Sequence, residues 1–521
     1  MWRASEPPER PKFRPSGQTH EFALILTGTG AGDSRRMGAK VGERGISRRA
    51  LGALAAGGAV SVGVSGCDRA GPTEATVKSR QFPSDFVWGV ATAAFQTEGS
   101  PTADGRGPSI WDTFERQPGR IKDGSTADIA TDSYRRYAED VALIAGAGLK
   151  AFRFSISWSR VLPTGQGTVN PAGLDHYERL VDACLAKGIT PYATLFHWDL
   201  PQALQDKGGW SARDTAKSFA EYAAAVGARL GDRLKHIITL NEPAVHTVFG
   251  HVLGEHAPGL KDLALLGPTT HHMNLGQGLA IQALRATHRD LKIGTTLALQ
   301  PCRQVGGPLA FWNRPAADGL DALWNRAWLD PLLKGTYPTL MNDFLKGHVR
   351  DGDLKTIHQP IDFLGVNYYS PAYVSLNLAS ASHIAPGAPP KGAELDAFGR
   401  QIDPLGLVQV LEMVRRDYGN PPVLITENGC SDPFGNGPGV IDDGFRSQYL
   451  RRHLEAVKSA MEAGSRIGGY FTWTLVDNWE WDLGYTSKFG LVSLDRATGV
   501  RTPKASYGWF KGVAETGVLP S

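Results

Sequence analysis

The chain has 521 residues, 41% of them hydrophobic, and a formal charge of +3, so it is long enough to bury a large core. The positive charge sits at the front: residues 1–66 carry ten Lys or Arg against five Asp or Glu, and residues 67–521 sum to −2. That balance excludes a global basic field for nucleic acid, and Cys67, Cys184, Cys302 and Cys430, scattered without a CxxC pair, argue against a disulfide framework or a cysteine metal site.

Residues 1–66 read as a leader. Ile46–Leu51 presents the twin arginines Arg48 and Arg49, and Ala50–Val64 follows without a charge, too short a run to span a bilayer and flanked like a signal segment. It ends at Val64-Ser65-Gly66-Cys67, a box of the kind cleaved before a lipidated cysteine. An acylated Cys67 would tether the chain stably, since each buried CH₂ contributes about 0.8 kcal/mol. Export across a bacterial inner membrane, with the product lipid-anchored on the periplasmic or outer side, is therefore expected. Translation could begin at Met1 or Met37. Residues 67–80 form a short polar linker, and residues 81–521 show no composition break, which is consistent with one domain.

Within that domain, eight apolar, β-branched or aromatic runs predict strands: Phe86–Val90, Ala151–Ile156, Thr190–Leu195, His236–Leu240, Lys292–Leu297, Asp362–Val366, Val423–Thr426 and Gly469–Trp473. Helical spacing lies between them at Tyr134–Ala147, Gly173–Lys187, Thr215–Leu230, Asn274–His288 and Phe445–Ala463. Strands alternating with helices imply a parallel sheet, and eight units imply a closed (β/α)₈ barrel. The rival open sheet would want a GxGxxG turn after the first strand, and there is none.

Polar and aromatic residues gather just after these runs: Ala91–Gln96, Ser157-Trp158, Phe196–Asp199, Asn241-Glu242, Asn367–Tyr369, Glu427-Asn428 and Thr474–Trp481. Strand C-termini are where such barrels build active sites. Glu242 and Glu427 each close a buried run, which is costly for a carboxylate unless partners or function compensate. A structural salt bridge is the bland explanation, but paired carboxylates are what glycosidic hydrolysis requires. His271-His272 looks like a metal pair, yet no Glu follows at metalloprotease spacing, so packing is expected there, and no metal or other cofactor.

Asn241-Glu242-Pro243 and Thr426-Glu427-Asn428-Gly429, together with Asp104–Phe114, Arg153–Arg160, His197–Pro201 and Asp477–Trp481, closely resemble the motifs of glycoside hydrolase family one, the retaining β-glucosidases and their relatives. The resemblance runs from Phe82 to Phe510. It implies that Glu427 is the nucleophile and Glu242 the general acid/base. Gln96, His197, Trp198, Asn241 and Glu480 would contact sugar hydroxyls, with Trp473 under the ring and Trp481 beside it. Arg153 and Tyr369 would support the nucleophile, Tyr369 also touching substrate. The activity implied is exo-hydrolysis of small β-D-glucosides or oligosaccharides by double displacement, with β-galactosides and β-fucosides as further candidates.

Two alternatives are weighed against it. A 6-phospho-β-glycosidase is disfavoured by Glu480, whose carboxylate would repel a phosphate dianion at close range. A membrane-tethered sugar-binding lipoprotein without catalysis is disfavoured because both carboxylates are present. Departures from the usual family pattern are Trp479 for Phe, Phe95 and Phe196 for Tyr, Arg400 for Trp and Ala298 for Asn; the last bears on leaving-group preference. Residues 375–400 are expected to be an irregular loop at the aglycone side.

Overall fold

In the computed structural model, which describes residues 75, 77–431 and 441–520, the eight runs form eight parallel strands. These are β1 (Val87–Ala91), β2 (Ala151–Ser155), β3 (Thr190–Phe196), β4 (His236–Asn241), β5 (Lys292–Ala298), β6 (Phe363–Asn367), β7 (Val423–Asn428) and β8 (Ile467–Trp473). They close in sequential order, β8 pairing with β1. β2, β6 and β7 are buried along their whole length, as expected of strands covered on both faces. The twin-arginine segment and Cys67 lie outside the described residues.

The covering layer contains α1 (Ser133–Gly146), α2 (Pro171–Ala186), α3 (Asp214–Leu230), α4 (Leu266–Thr287), α5 (Ala327–Leu333), α6 (Pro404–Asp417), α7 (Gly444–Glu462) and α8 (Ala505–Thr516). α4 begins eight residues earlier than its spacing predicts. Every residue from Leu266 to Gly278 is buried, so that half of the helix has no polar face and shows no 3.6-residue periodicity. Pro268 is tolerated because the first helical N–H groups lack intrahelical partners anyway. His271 and His272 lie in this buried half. His271 meets Asp353 Oδ2 at 2.8 Å and Tyr337 Oη at 3.0 Å, and His272 Nδ1 meets the Trp210 carbonyl at 3.2 Å.

Three strands run past their apolar residues into polar ones, β6 among them, since it ends on Asn367. β4 takes in Asn241, and β7 takes in Glu427 and Asn428. Backbone pairing continues past the hydrophobic residues: Glu427 lies opposite Asn367, and its carbonyl accepts from the Tyr368 N–H at 3.1 Å. Residues 375–400 are less irregular than expected. Ala372–Leu376 and Ile384–Gly387 join Cys302–Gln304 in a three-stranded sheet.

At the opposite end of the barrel, the Phe82 N–H donates to the Gly517 carbonyl at 2.8 Å, and Leu519 donates to Arg80 at 3.0 Å. Lys78 and Ser79, in the segment read as linker, donate backbone N–H groups to the Glu462 carboxylate. The chain thus enters the domain on the face away from the strand C-termini.

Candidate active site

The strand register brings the polar residues together. Ala298 lies opposite Asn367, Asn367 opposite Glu427, Asn241 opposite Thr296, and Ala91 opposite Trp473. Gln96, Arg153, His197, Asn241, Glu242, Glu427, Trp473 and Trp481 are all buried at this one end. Trp198, Glu242 and Trp481 have φ of 76°, 47° and 50°, in the left-handed region that costs a non-glycine residue free energy. Such strain concentrates at sites where the surroundings dictate side-chain direction.

Glu427 takes a donor on each oxygen. Arg153 Nη1 donates to Oε1 at 2.5 Å and the Tyr369 hydroxyl to Oε2 at 2.8 Å. Arg153 is wholly buried, and its remaining groups reach Thr194 Oγ1 at 3.2 Å, the Thr426 carbonyl at 3.2 Å and Asn241 Oδ1 at 2.6 Å. A buried guanidinium so fully bonded compensates a buried carboxylate. Burial, helped by the adjoining Glu427 charge, holds the Tyr369 phenol well above its usual range, so Tyr369 remains a donor.

Glu242 is treated differently. Among the described residues its one side-chain donor is the Asn367 amide, with Nδ2 at 2.8 Å from Oε1. Burial, then the Glu427 charge, push its carboxyl up to about 8, against the opposing influence of Asn367 and Arg153. One carboxyl therefore sits among donors suited to a carboxylate, and the other is held in the acid form near neutrality. Environments of this kind separate acid from nucleophile.

The remaining expected residues surround this pair. Asn241 Oδ1 accepts from Arg153 and Asn367, so its Nδ2 faces His197 Nε2, at 2.9 Å. His197 Nε2 is then the acceptor and Nδ1 carries the proton. Burial and the Arg153 charge keep this imidazole neutral. Gln96 Nε2 lies 3.1 Å from Glu480 Oε2 and 3.2 Å from Asn478 Oδ1. Burial pushes Glu480 up to about 8, with Arg400 opposing. Gln96 Oε1 and His197 Nδ1 have no hydrogen-bond partner among the described residues. Buried polar atoms rarely stay unpaired, so these two are suited to ligand hydroxyls. The Trp473 and Trp481 rings lie 6.0 and 5.9 Å from His197. The Trp198 indole N–H is used by the protein itself, donating to the Asn241 carbonyl at 3.0 Å, while its ring packs 4.7 Å from Trp481.

Residue-type reasoning left Asn367, Thr426 and Asn478 unassigned, although each stands inside or beside a recognised segment. Their neutral side chains carry no signal until pairing shows what they touch. Arg400, flagged only as a departure, stacks 4.6 Å from the Tyr369 ring centre and 5.4 Å from that of Phe489, and is tied to Asp396 at 2.7 Å. Phe95 stacks parallel to Trp481 at 6.2 Å, and Trp479 donates to Ser125 Oγ at 3.2 Å. Among the described residues, no group of three or more His, Cys, Asp or Glu side chains could hold a metal ion, and no helix is long and apolar enough to cross a membrane.

The model of Glycosyl hydrolase family 1 matches residues 78–518. The thermostable beta-glucosidase B of Thermobispora bispora is 46% identical over 449 residues, covering 83% of this chain and 90% of that protein. A bifunctional beta-D-glucosidase/beta-D-fucosidase of Bifidobacterium breve is 41% identical, covering 82% and 97%. The structure of a beta-glucosidase from Thermotoga maritima in complex with deoxynojirimycin superposes with a TM-score of 0.79 at 39% identity, covering 85% of this chain and all of the other.

Proposed function

The chain belongs to glycosyl hydrolase family 1, and we propose that it hydrolyses β-glucosides from the non-reducing end with retention, Glu427 acting as nucleophile and Glu242 as general acid/base. The observation that carries the assignment is the contrast between the carboxyls: two donors on Glu427, one of them a buried guanidinium, against a Glu242 pushed up to about 8.

In the first step a Glu427 oxygen bonds to the anomeric carbon as the glycosidic C–O bond breaks, and the Glu242 proton passes to the departing oxygen. The ester removes the Glu427 charge that holds Glu242 up, so Glu242 then ionises more readily. In the second step it takes a proton from water while the water oxygen displaces Glu427 from the sugar. Asn241 bonds the 2-hydroxyl beside the reacting carbon, and His197 bonds a hydroxyl next round the ring. Gln96 and Glu480 take two hydroxyls further round the ring, and Trp473 and Trp481 offer their faces to its C–H groups. Trp198 supports Asn241 from behind. The fucosidase activity named for one relative makes β-fucosides a reasonable second substrate, with β-galactosides to be compared beside them.

The motif at Arg48-Arg49 and the box ending at Cys67 support export and lipid attachment of the same protein. The catalytic assignment is tested by inactivating the enzyme with a 2-deoxy-2-fluoroglucoside and mapping the labelled peptide. The label is expected on Glu427, and Glu427→Gln is expected to cut kcat by on the order of 10⁴-fold or more. A label elsewhere, or an active Glu427→Gln enzyme, overturns it.

A further inference from the structure

We propose that Asn367 is a positioning residue of the reaction: held in one orientation from both ends, it donates to Oε1 of Glu242 and so leaves Oε2 as the oxygen that carries the acid proton. This rests on the assignment of Glu242 as the acid/base.

The orientation follows from hydrogen-bond valence. A guanidinium has no acceptor, so the Asn241 atom 2.6 Å from Arg153 Nη2 is Oδ1. The Asn367 atom 3.1 Å from that oxygen must then be a nitrogen, and the same nitrogen is 2.8 Å from Glu242 Oε1. Asn367 Oδ1 is left to accept, and the Thr426 hydroxyl supplies a proton at 2.7 Å. Thr426, having donated, accepts from Thr296 Oγ1 at 3.2 Å. Donation runs from Thr296 through Thr426 and Asn367 to Asn241 Oδ1, where it meets the Arg153 donor coming from the other side. Arg153 therefore holds the nucleophile directly and, through Asn241, sets which face of the Asn367 amide the acid sees.

The arrangement is built into the barrel. Asn367, Thr426 and Thr296 are each 0–1% exposed, so water cannot replace a lost partner. A Cβ on Gly365 would collide with Thr296 Oγ1 and lie 2.9 Å from Thr426 Oγ1; the hydroxyls fill the space that glycine leaves. An oxygen that accepts an amide N–H is a poor seat for a proton, and Oε1 is thereby kept as acceptor in both protonation states. The same bond favours the carboxylate, which tempers the upward push of burial. The other ionisable groups that act on Glu242 are Glu427 and Glu480, which raise it, Arg153, which lowers it, and the neutral Tyr369 phenol.

The test is the pH profile of kcat/KM on an aryl β-glucoside, whose basic limb reads the free-enzyme acid. Loss of the Asn367 donor in Asn367→Ala is expected to move that limb up by about one pH unit. The isosteric Thr426→Val, which leaves Asn367 Oδ1 without its donor, should move it less in the same direction, and Thr426→Ser should restore the wild-type limb. A limb unmoved in Asn367→Ala overturns the proposal. Should that variant fail to fold, an unmoved limb in Thr426→Val, with wild-type unfolding temperature, does so. Glu242→Ala separates this from the parent assignment: if it forms no β-glucosyl azide from an activated glucoside and azide, the acid/base assignment is what fails. If it forms the azide and the limb is still unmoved, only the role of Asn367 fails.

Discussion

Glu242 and Glu480 are both pushed up to about 8, in each case first by burial, so each favours a folded state that holds a proton. The unfolded chain releases those protons near pH 4.3. Stability from a raised carboxyl is complete below that point and is lost as pH rises through the folded value. Glu242→Gln removes one of the two linkages while filling the same space. Its melting temperature should equal wild type near pH 4 and exceed it by about 1–3 °C at pH 8, as scanning calorimetry across pH would show. A variant less stable than wild type at pH 8 would mean that Glu242 does not resist ionisation in its site. The expected gain in stability with loss of activity is the usual trade at a functional carboxylate. Arg400 is the counterweight on the neighbouring side, opposing the burial of Glu480 while its plane covers the Tyr369 and Phe489 rings.

At the scale of elements, the site depends on how far strands run past their hydrophobic residues. β7 carries Glu427 and Asn428 inside the ladder, and Asn428 is bonded to the Tyr368 carbonyl at 2.6 Å and to Tyr470 Oη at 2.6 Å. The nucleophile thereby sits on a strand clamped from both neighbours. Gly429 follows immediately, and a Cβ there would collide with the carbonyl oxygen of Trp473, at the end of β8. Gly429→Ala should force the strand ends bearing Glu427 and Trp473 apart. A displacement of about 1 Å costs about 10²-fold in turnover. Steady-state kinetics should show the loss chiefly in kcat, and wild-type kcat in this variant would mean that the contact relaxes elsewhere. β4 ends the other way: Glu242 leaves the strand at φ 47°, with its N–H retained by the Thr296 carbonyl at 2.9 Å. One carboxyl is thus held by strand pairing, and the other by a strained turn.

For the whole molecule, the site and the entering chain occupy opposite ends of the barrel. Lys78–Phe82 are bonded to Glu462, Gly517 and Leu519, whereas Glu242 and Glu427 lie at the strand C-termini. A tether at Cys67 would join the domain on the face away from the catalytic mouth. Cells expressing the full chain should incorporate radiolabelled palmitate into it, with activity in the membrane fraction. Cys67→Ala should abolish the label and release the activity with kcat/KM unchanged; label that survives the substitution would rule out this anchor.

Eight apolar, β-branched or aromatic runs separated by helical spacing have few closed solutions other than the barrel, and a carboxylate ending a buried strand is costly without a task, so both the barrel and the two glutamates were legible before folding. The aromatic and amide residues around them were legible as segments for the same reason of place. Three features depend instead on neighbours distant in the chain. The buried half of α4 has no polar face and so carries no period. The small sheet of residues 302–304, 372–376 and 384–387 rests on pairing between distant segments. The direction of the Arg153–Asn241–Asn367–Thr426 hydrogen bonds is a property of neighbours drawn from four strands, β2, β4, β6 and β7. Composition and spacing say which groups a chain owns; which atom of each one faces its partner is set when the barrel closes and the orienting donor, Arg153, is buried among them.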